Sequence, residues 1–304
     1  MQQFIERKYF MEIKMKDNIQ KKFAPPIDHK SGERLSLEDI KRISTNILFD
    51  VHSFCVKHNC KYSLAYGTLI GAIRHKGFIP WDDDVDIIMP RKDFERFCKE
   101  YKSDNGFKML DPKSPESLIT FGRVYDTRST RCETTAPWST FETGVWIDVF
   151  PLDGVEDDNE NFQRRIKSMK PTAKRIAMKR TSREGFWSTK TLRRKCTWVI
   201  KTLLTIWFKM DNLKNEYLKE MQRYDFETSN FYGQLGCYDD CTYKEHNPKS
   251  DFTHCIEVDF EGRKLLAMNG YDNILRRYYG DYMQLPPVDQ QKPKYDSYIK
   301  FFWK

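Results

Sequence analysis

Four segments between residues 62 and 101 alternate between the patterns of a strand and a helix. The apolar runs at 62–66 and 85–89 have the composition of short β-strands. Helical spacing follows each of them, at 69–74 and 91–101. Such alternation requires a sheet whose faces are covered by helices. The segment therefore restricts the chain to an α/β or α+β fold with a central sheet.

The flanking sequence extends this pattern. Ser36, with Asp39 three residues later, predicts a capped helix that ends near Asn59. Further strands are predicted at 107–110, 119–126 and 145–150. We therefore predict an α+β fold in which a mixed sheet is flanked by helices.

Charge is unevenly distributed along the chain. The 304 residues carry a net charge of +8, yet residues 164–201 hold 14 Lys and Arg and a single acid, Glu184. We interpret this stretch as part of a basic helical insertion. The predicted division is an N-terminal arm, a catalytic core, a basic helical region and a C-terminal segment that completes the domain, at 1–34, 35–155, 156–250 and 251–304.

The basic region has two interpretations. Between Lys190 and Phe208, cations alternate with Leu, Trp and Phe, which is typical of an amphipathic helix lying on an anionic membrane. The pattern also fits a helical subdomain whose apolar stripe packs on the sheet. Nucleic acid is not an expected partner, because stacking aromatics do not interleave with the cations on a strand.

The apolar runs also bear on location. No signal segment opens the sequence, and no apolar run reaches the roughly 20 residues needed to span a bilayer. We therefore expect a cytoplasmic protein with reduced thiols, located at the inner face of the plasma membrane if the amphipathic interpretation holds.

One group of Cys and His residues with irregular spacing is either a zinc site or a set of ordinary thiols and imidazoles: Cys237, Cys241, His246, His254 and Cys255.

An acidic cluster, Asp82, Asp83, Asp84 and Asp86, runs directly into the second predicted strand. Residues two apart share a face of a strand, so Asp84 and Asp86 point the same way and Asp82 can join them. Asp83 faces the opposite side by the same geometry. Carboxylates this close repel each other unless a cation lies between them, and Mg²⁺ or Mn²⁺ suits oxygen ligands. The alternatives are a polar turn or a calcium-binding surface loop.

A further acid, Asp148, lies inside the apolar strand at 145–150. A carboxylate there is costly unless it is paired or bound to a metal. We predict that Asp148 is another metal ligand or the base for an attacking hydroxyl, with a hydrogen-bonded structural acid as the alternative. Asp153 is predicted to be a turn residue after Pro151.

Residues before and after the acidic cluster suit phosphate binding. Gly67 and Thr68 stand at a strand–helix junction, where a glycine permits close approach and the helix start offers N–H groups. The basic residues 74–76 either bind phosphate or complement the end of the helix dipole. The predicted substrate site comprises Gly67, Thr68, Arg74, His75, Lys76, Trp81 and Arg123.

Four stretches of the sequence resemble the LicD family, at 66–87, 144–154, 260–263 and 279–287. The first contains Trp-Asp-Asp-Asp-Val-Asp, and the second contains Val-Trp-Ile-Asp-Val-Phe-Pro-Leu-Asp. The family includes bacterial LicD phosphocholine transferases and the eukaryotic fukutin and fukutin-related proteins. The resemblance covers roughly residues 35–290 and is weakest at 160–250.

This resemblance implies a nucleotidyltransferase-like fold of the polymerase-beta type. In that pattern a phosphate-binding turn precedes an Asp-x-Asp strand, and a third acid lies on a later strand. The resemblance thus assigns the turn to Gly67 and Thr68, the metal pair to Asp84 and Asp86, and the third acid to Asp148. Thr68 departs from the usual small residue, and the gap to Asp84 is longer than usual, so Asp82 shares the ligand role.

The resemblance also implies a reaction. The donor is a CDP-activated alcohol such as CDP-choline, and the acceptor is a hydroxyl of a cell-surface glycan or its lipid-linked precursor, as in lipopolysaccharide, capsule or teichoic acid. Mg²⁺ neutralises the leaving phosphate, and Arg74 or Lys76 holds the diphosphate. The alternatives are a sugar-nucleotide glycosyltransferase that uses Asp-x-Asp and a nucleotidyltransferase with another acceptor.

Overall fold

The computed structural model describes eight stretches of the chain: 31–134, 137–181, 196–197, 199–200, 203–204, 206–237, 242–293 and 299–304. Most of the N-terminal arm, the centre of the basic region and Cys241 lie outside the described residues. Among the described residues, no helix is both long and apolar enough to cross a membrane.

Strands and helices alternate through the first half of the chain. The strands are β1 Ser63–Leu64, β2 Asp86–Pro90, β3 Phe107–Leu110, β4 Gly122–Asp126, β5 Thr130–Thr134, β6 Trp146–Val155, β7 Phe231–Gln234, β8 Asn247–Pro248, β9 Cys255–Phe260, β10 Arg263–Met268 and β11 Ile299–Trp303. The helices are α1 Leu37–His58, α2 Tyr66–His75, α3 Arg91–Glu100, α4 Asn159–Thr181, α5 Met210–Met221 and α6 Tyr271–Tyr279.

The main sheet is mixed and is organised around β6, all ten residues of which are buried. Its strand order is β1-β2-β6-β4-β3, with β7 also pairing with β6, and β8 with β7. The β2–β6 pair is parallel, and the other pairs are antiparallel. Two smaller antiparallel pairs, β9–β10 and β5–β11, complete the structure. The predicted α+β architecture is therefore present as a mixed sheet with helices.

Local signals explain where α1 begins and ends. The Ser36 hydroxyl accepts from the Asp39 N–H, and the Asp39 carboxylate accepts from the Ser36 N–H, which is the predicted capping box. Asn59 ends the helix in the left-handed conformation, at φ 56°. Helix α1 then packs against β4 and β6.

A second apolar core joins α4 to α5. Phe162, Ile166 and Leu213 are among the side chains buried there. The Lys214 amine is also buried and donates to the carbonyls of Pro112, Ser114 and Ser117, at 3.2, 2.7 and 2.7 Å. The predicted basic region thus includes packed helices, and it also supplies β7 to the main sheet. The four-part division of the chain stays a prediction.

The prediction that Asp153 is a turn residue is wrong. The structure extends β6 to Val155, and Asp153 is buried in a bidentate ion pair with Arg91, whose Nε and Nη2 lie 2.7 and 2.5 Å from its oxygens. Pro151 does not end the strand. It falls between the β4 partners, which end at Val149, and the β7 partners, which begin at Leu152. A proline is tolerated there because the sheet changes partner at that point.

Candidate active site

The acidic cluster lies in the loop between α2 and β2. One carboxylate oxygen from each of Asp82, Asp83 and Asp84 lies within 4.8 Å of the other two. All three side chains are half-buried. Strand alternation predicts that Asp83 faces away, but the strand begins only at Asp86, so the three acids precede it and are not subject to that alternation.

Asp86 lies outside this group of three and at the edge of the parallel strand pair. Its N–H donates to the Thr68 hydroxyl at 2.9 Å, and in the β2–β6 register it lies opposite Asp148. Thr68 is buried. The Thr68 hydroxyl, predicted to contact phosphate, therefore accepts a hydrogen bond that joins the start of α2 to the start of β2.

Gly67 brings the cluster against the first turn of α2. A Cβ at this position would lie 2.6 Å from Asp82 Oδ2, so any other residue would displace that carboxylate. Because α2 begins at Tyr66, Gly67 lies within its first turn, where N–H groups have no helical partner. Gly67 thus allows the Asp82 carboxylate to approach the positive end of the helix.

Tyr66 holds this turn in a strained conformation that sequence patterns did not indicate. Its φ is 48°, which is rare for a bulky side chain. Its hydroxyl donates to Glu245 Oε1 at 2.9 Å, and its ring contacts the rings of Phe150 and Tyr278. Glu245 follows Tyr66 by 179 positions, so no local sequence signal could have identified the contact.

Asp148 and Arg123 form an ion pair with each other. Arg123 Nε and Nη2 lie 2.6 and 3.0 Å from the two carboxylate oxygens, and both residues are buried. Burial raises the pKa of Asp148; the Arg123 charge opposes this shift, and the negative charge of Asp84 adds to it. The Arg123 guanidinium also stacks 4.0 Å from the ring centroid of Trp146 and 4.6 Å from that of Trp138.

The three basic residues at the end of α2 have different surroundings. Arg74 Nη1 donates to the carbonyls of Tyr282 and Gln284 at 2.6 and 3.0 Å, and its Nε contacts His75 Nε2 at 2.9 Å. Burial lowers the pKa of both side chains, and for His75 the Arg74 charge adds to the effect. Lys76 is exposed, whereas Trp81 is half-buried against the core.

Lys41 holds the loop that leads to the cluster, and sequence patterns did not indicate it. Its amine donates to the carbonyls of Ile79 and Pro80 at 3.1 and 2.7 Å. Burial lowers its pKa, and the charges of Asp82, Glu261 and Asp83 act in the opposite direction. Its position on α1, 38 residues before Ile79, gives no local clue to this role.

The donor set of the cluster fits a hard divalent cation, because three carboxylate oxygens meet at one place. Among the described residues no other group of three or more His, Cys, Asp or Glu side chains converges in this way. The described members of the predicted zinc group do not converge on one point. His246 Nε2 contacts the Glu156 carbonyl at 2.7 Å, and the Cys255 thiol donates to the Tyr62 carbonyl.

Comparisons with known proteins agree with these features. Residues 59–179 match the sequence model described as LicD/FKTN/FKRP, nucleotidyltransferase domain. The chain is 31% identical over 276 residues, 88% of its length, to the lipopolysaccharide cholinephosphotransferase LicD of Haemophilus influenzae, and the match spans 99% of that protein. It is 36% identical to an uncharacterized protein of Rickettsia typhi over 74 residues, 23% of this chain and 24% of that protein.

The match to this transferase, over 88% of the chain and 99% of the relative, makes the protein an enzyme of the transferase class, built on a mixed sheet flanked by helices. More particularly, the chain belongs to the LicD family.

Proposed function

We propose that this protein transfers phosphocholine from CDP-choline to a hydroxyl of a lipopolysaccharide glycan or its lipid-linked precursor, in a reaction that depends on Mg²⁺ or Mn²⁺. The observation that carries the proposal is the convergence of three carboxylates against the start of α2, in a chain that matches a lipopolysaccharide cholinephosphotransferase along almost its full length. The proposed fold relationship is to the nucleotidyltransferases of the polymerase-beta type.

The residues that would hold the metal are Asp82, Asp83 and Asp84, with Asp86 beside them at the start of β2. A bound divalent cation neutralises phosphate charge during phosphoryl transfer. The family pattern assigns the third acid to Asp148. In the structure both of its oxygens contact Arg123, so this assignment stays a prediction.

The chain's own groups have separate tasks in the proposed reaction. The N–H groups in the first turn of α2, near Gly67, orient the diphosphate. Lys76, predicted to hold the diphosphate, is exposed at the opposite end of α2, and Arg74 joins that end of the helix to the C-terminal segment while also contacting His75. Trp81 directly precedes Asp82 and is half-buried against the core, where it anchors this end of the loop.

The proposed bond changes are those of a phosphodiester exchange. The acceptor hydroxyl oxygen forms a bond to the phosphorus that carries choline, and the bond from that phosphorus to the bridging oxygen breaks. The bridging oxygen leaves with its electron pair as part of CMP, and the hydroxyl proton passes to a carboxylate of the site. Asp148 is the predicted base, and it would first have to release Arg123.

A lipid-linked acceptor would bring the enzyme to a membrane, and we propose peripheral contact through the segment before α5. Its apolar side chains are exposed at Ile200, Leu203, Leu204, Ile206 and Trp207, the last by 91%. Nearby α4 exposes Arg164, Lys167, Lys170, Lys174 and Arg175. Apolar side chains beside cations suit the surface of an anionic leaflet.

The experiment that tests the proposed function compares activated donors. Purified protein is incubated with Mg²⁺, a lipopolysaccharide acceptor and CDP-choline, CDP-ribitol or CDP-glycerol, and the release of CMP is measured together with the labelled glycan. We expect turnover with CDP-choline and a phosphodiester on the glycan. Turnover of a UDP-sugar, with no reaction of any CDP-alcohol, would instead indicate a glycosyltransferase and contradict the proposal.

A further inference from the structure

A groove of about 770 Å³ lies between α1 and the turn that joins β9 to β10. This volume is in the range of small-molecule binding sites. Leu37, Phe49, Phe78 and Pro80 form its apolar surface. The polar side chains that surround them are Glu38, Lys41, Arg42, Thr45, Asn46, Glu261 and Arg263. The turn is the Phe-Glu-Gly-Arg stretch at 260–263, which the acidic site does not use.

The turn is strained and is held by specific contacts. Phe260 pairs with Arg263, so Glu261 and Gly262 form a two-residue hairpin turn, with φ values of 48° and 76°. Both central residues then have positive φ, where Asn, Asp and Gly are preferred. Position 261 is occupied by a glutamate instead. Its Oε1 accepts from the Phe78 N–H at 3.1 Å, and its own N–H donates to the Lys76 carbonyl at 3.0 Å.

The same contacts connect the groove to the acidic cluster. Lys41 lines the groove and donates to the carbonyls of Ile79 and Pro80. The Ile79 carbonyl in turn accepts from the Asp82 N–H at 3.0 Å. Pro80 lies in the groove wall two residues before Asp82, and the charges of Asp82 and Asp83 act on the Lys41 amine, so this side of the groove lies close to the carboxylates.

The charges of the groove do not favour a diphosphate. Glu38 and Glu261 would repel it. Each of the three cations already has a protein partner: Lys41 contacts two carbonyls, Arg42 lies 3.4 Å from Asp39, and Arg263 stacks 4.3 Å from the centroid of Phe49. An uncharged polyhydroxyl ligand has no such repulsion, because its hydroxyls can donate to the two carboxylates and to the side-chain oxygens of Thr45 and Asn46.

We propose that this groove binds the saccharide part of the acceptor and directs its hydroxyl toward the acidic cluster. The proposal rests on the proposed transfer to a glycan, and it assigns the 260–263 turn and the groove-lining residues of α1, which fall between positions 37 and 49, to acceptor recognition. Lys41 is the positioning residue between the two sites, because it contacts the groove and the loop before Asp82.

Filling the groove tests this assignment. Asn46→Trp places a large side chain in it, and Lys57→Trp places the same side chain on an exposed position of α1 outside it. With CDP-choline and a delipidated lipopolysaccharide oligosaccharide, we expect Asn46→Trp to raise the acceptor KM tenfold or more and to change the CDP-choline KM less than twofold. Lys57→Trp is expected to change neither constant. A rise in the CDP-choline KM, or an unchanged acceptor KM, overturns the assignment.

A binding measurement separates this assignment from the reaction itself. The same oligosaccharide is titrated into each protein without donor, and binding is followed by calorimetry. We expect wild-type protein and Lys57→Trp to bind it equally, and Asn46→Trp to bind it at least tenfold more weakly. If the wild type binds no oligosaccharide, or if Asn46→Trp binds it normally, the groove is not the acceptor site. If CDP-choline does not react but these affinities differ as expected, the donor assignment fails and the groove assignment stands.

Discussion

Arg123 and Asp148 form a buried bidentate ion pair that joins β4 to β6, next to the strand that begins with Asp86. The two residues were predicted to serve substrate and metal separately. In the structure, the Arg123 guanidinium instead neutralises the Asp148 carboxylate. Asp148 also lies close enough to the acidic cluster for the negative charge of Asp84 to add to the rise in its pKa.

Removing one partner of this pair should destabilise the fold strongly. Arg123→Ala leaves the buried Asp148 carboxylate without its cation, and such a loss typically costs about 3–5 kcal/mol. We expect a decrease of that order in the free energy of unfolding, measured by urea denaturation at pH 7.5. Lys113→Ala, which breaks the surface pair with Glu95, is the control and should cost less than about 1 kcal/mol. Equal effects of the two substitutions would contradict a buried pair.

Gly67 should be required for metal binding rather than for folding. The Cβ of Gly67→Ala would lie 2.6 Å from Asp82 Oδ2, so the carboxylate must move. Because displaced supporting contacts cost about 10–100-fold in metal affinity, we expect the Kd for Mn²⁺, followed by electron paramagnetic resonance, to rise at least tenfold. Thermal unfolding should stay cooperative. Ser53→Ala, on the exposed face of α1, is the control. An unchanged Mn²⁺ affinity would show that Asp82 is not a ligand.

Asp93 should make stability depend on pH. Burial raises its pKa to about 6, above the usual value of 3.8. The protonated form is therefore favoured in the folded state, and the associated stability is present below pH 3.8 and lost as the pH rises through about 6. We expect Asp93→Asn to be more stable than wild type at pH 7.5 and to match it near pH 4. Asp104→Asn, which changes an exposed acid, is the control. If the stability of Asp93→Asn followed the same pH profile as that of the wild type, Asp93 would not be the cause of the pH dependence.

The exposed apolar segment before α5 should mediate membrane contact. We expect the protein to float with vesicles that contain anionic lipid at low salt, and to float less at high salt as charges are screened. Trp207→Ser should reduce this binding several-fold, because that ring is 91% exposed. Val288→Ser removes another exposed apolar side chain far along the chain and should have no effect. Binding that is absent, or unchanged by Trp207→Ser, rules out this contact.

Local sequence signals predicted much of the framework. The capping box at Ser36 and the predicted end near Asn59 agree with the observed bounds of α1 to within one residue. Both ends could be predicted because each depends on residues close by in the chain. The strand at 107–110 is confirmed without change. The acidic cluster was also evident from sequence, since its residues are adjacent.

The partners of the site residues could not be predicted in this way. Arg123 and Asp148 are 25 positions apart, and Arg91 and Asp153 are 62 apart. Each pair depends on which strands and helices become neighbours, and hydrophobic periodicity does not encode that order. The position of Asp83 was missed for a different reason: alternation was applied to residues that precede the strand. Its register begins at Asp86.

Metal-dependent turnover of CDP-choline tests the central claim most directly. Wild-type protein and Asp84→Asn are assayed for CMP release with Mg²⁺, with Mn²⁺ and after removal of divalent cations by a chelator. The account predicts turnover by the wild type that stops with the chelator and returns when the cation is restored, and at least a 100-fold loss in Asp84→Asn despite a folded protein. Turnover that persists in the chelator, or in Asp84→Asn at the wild-type rate, would contradict it.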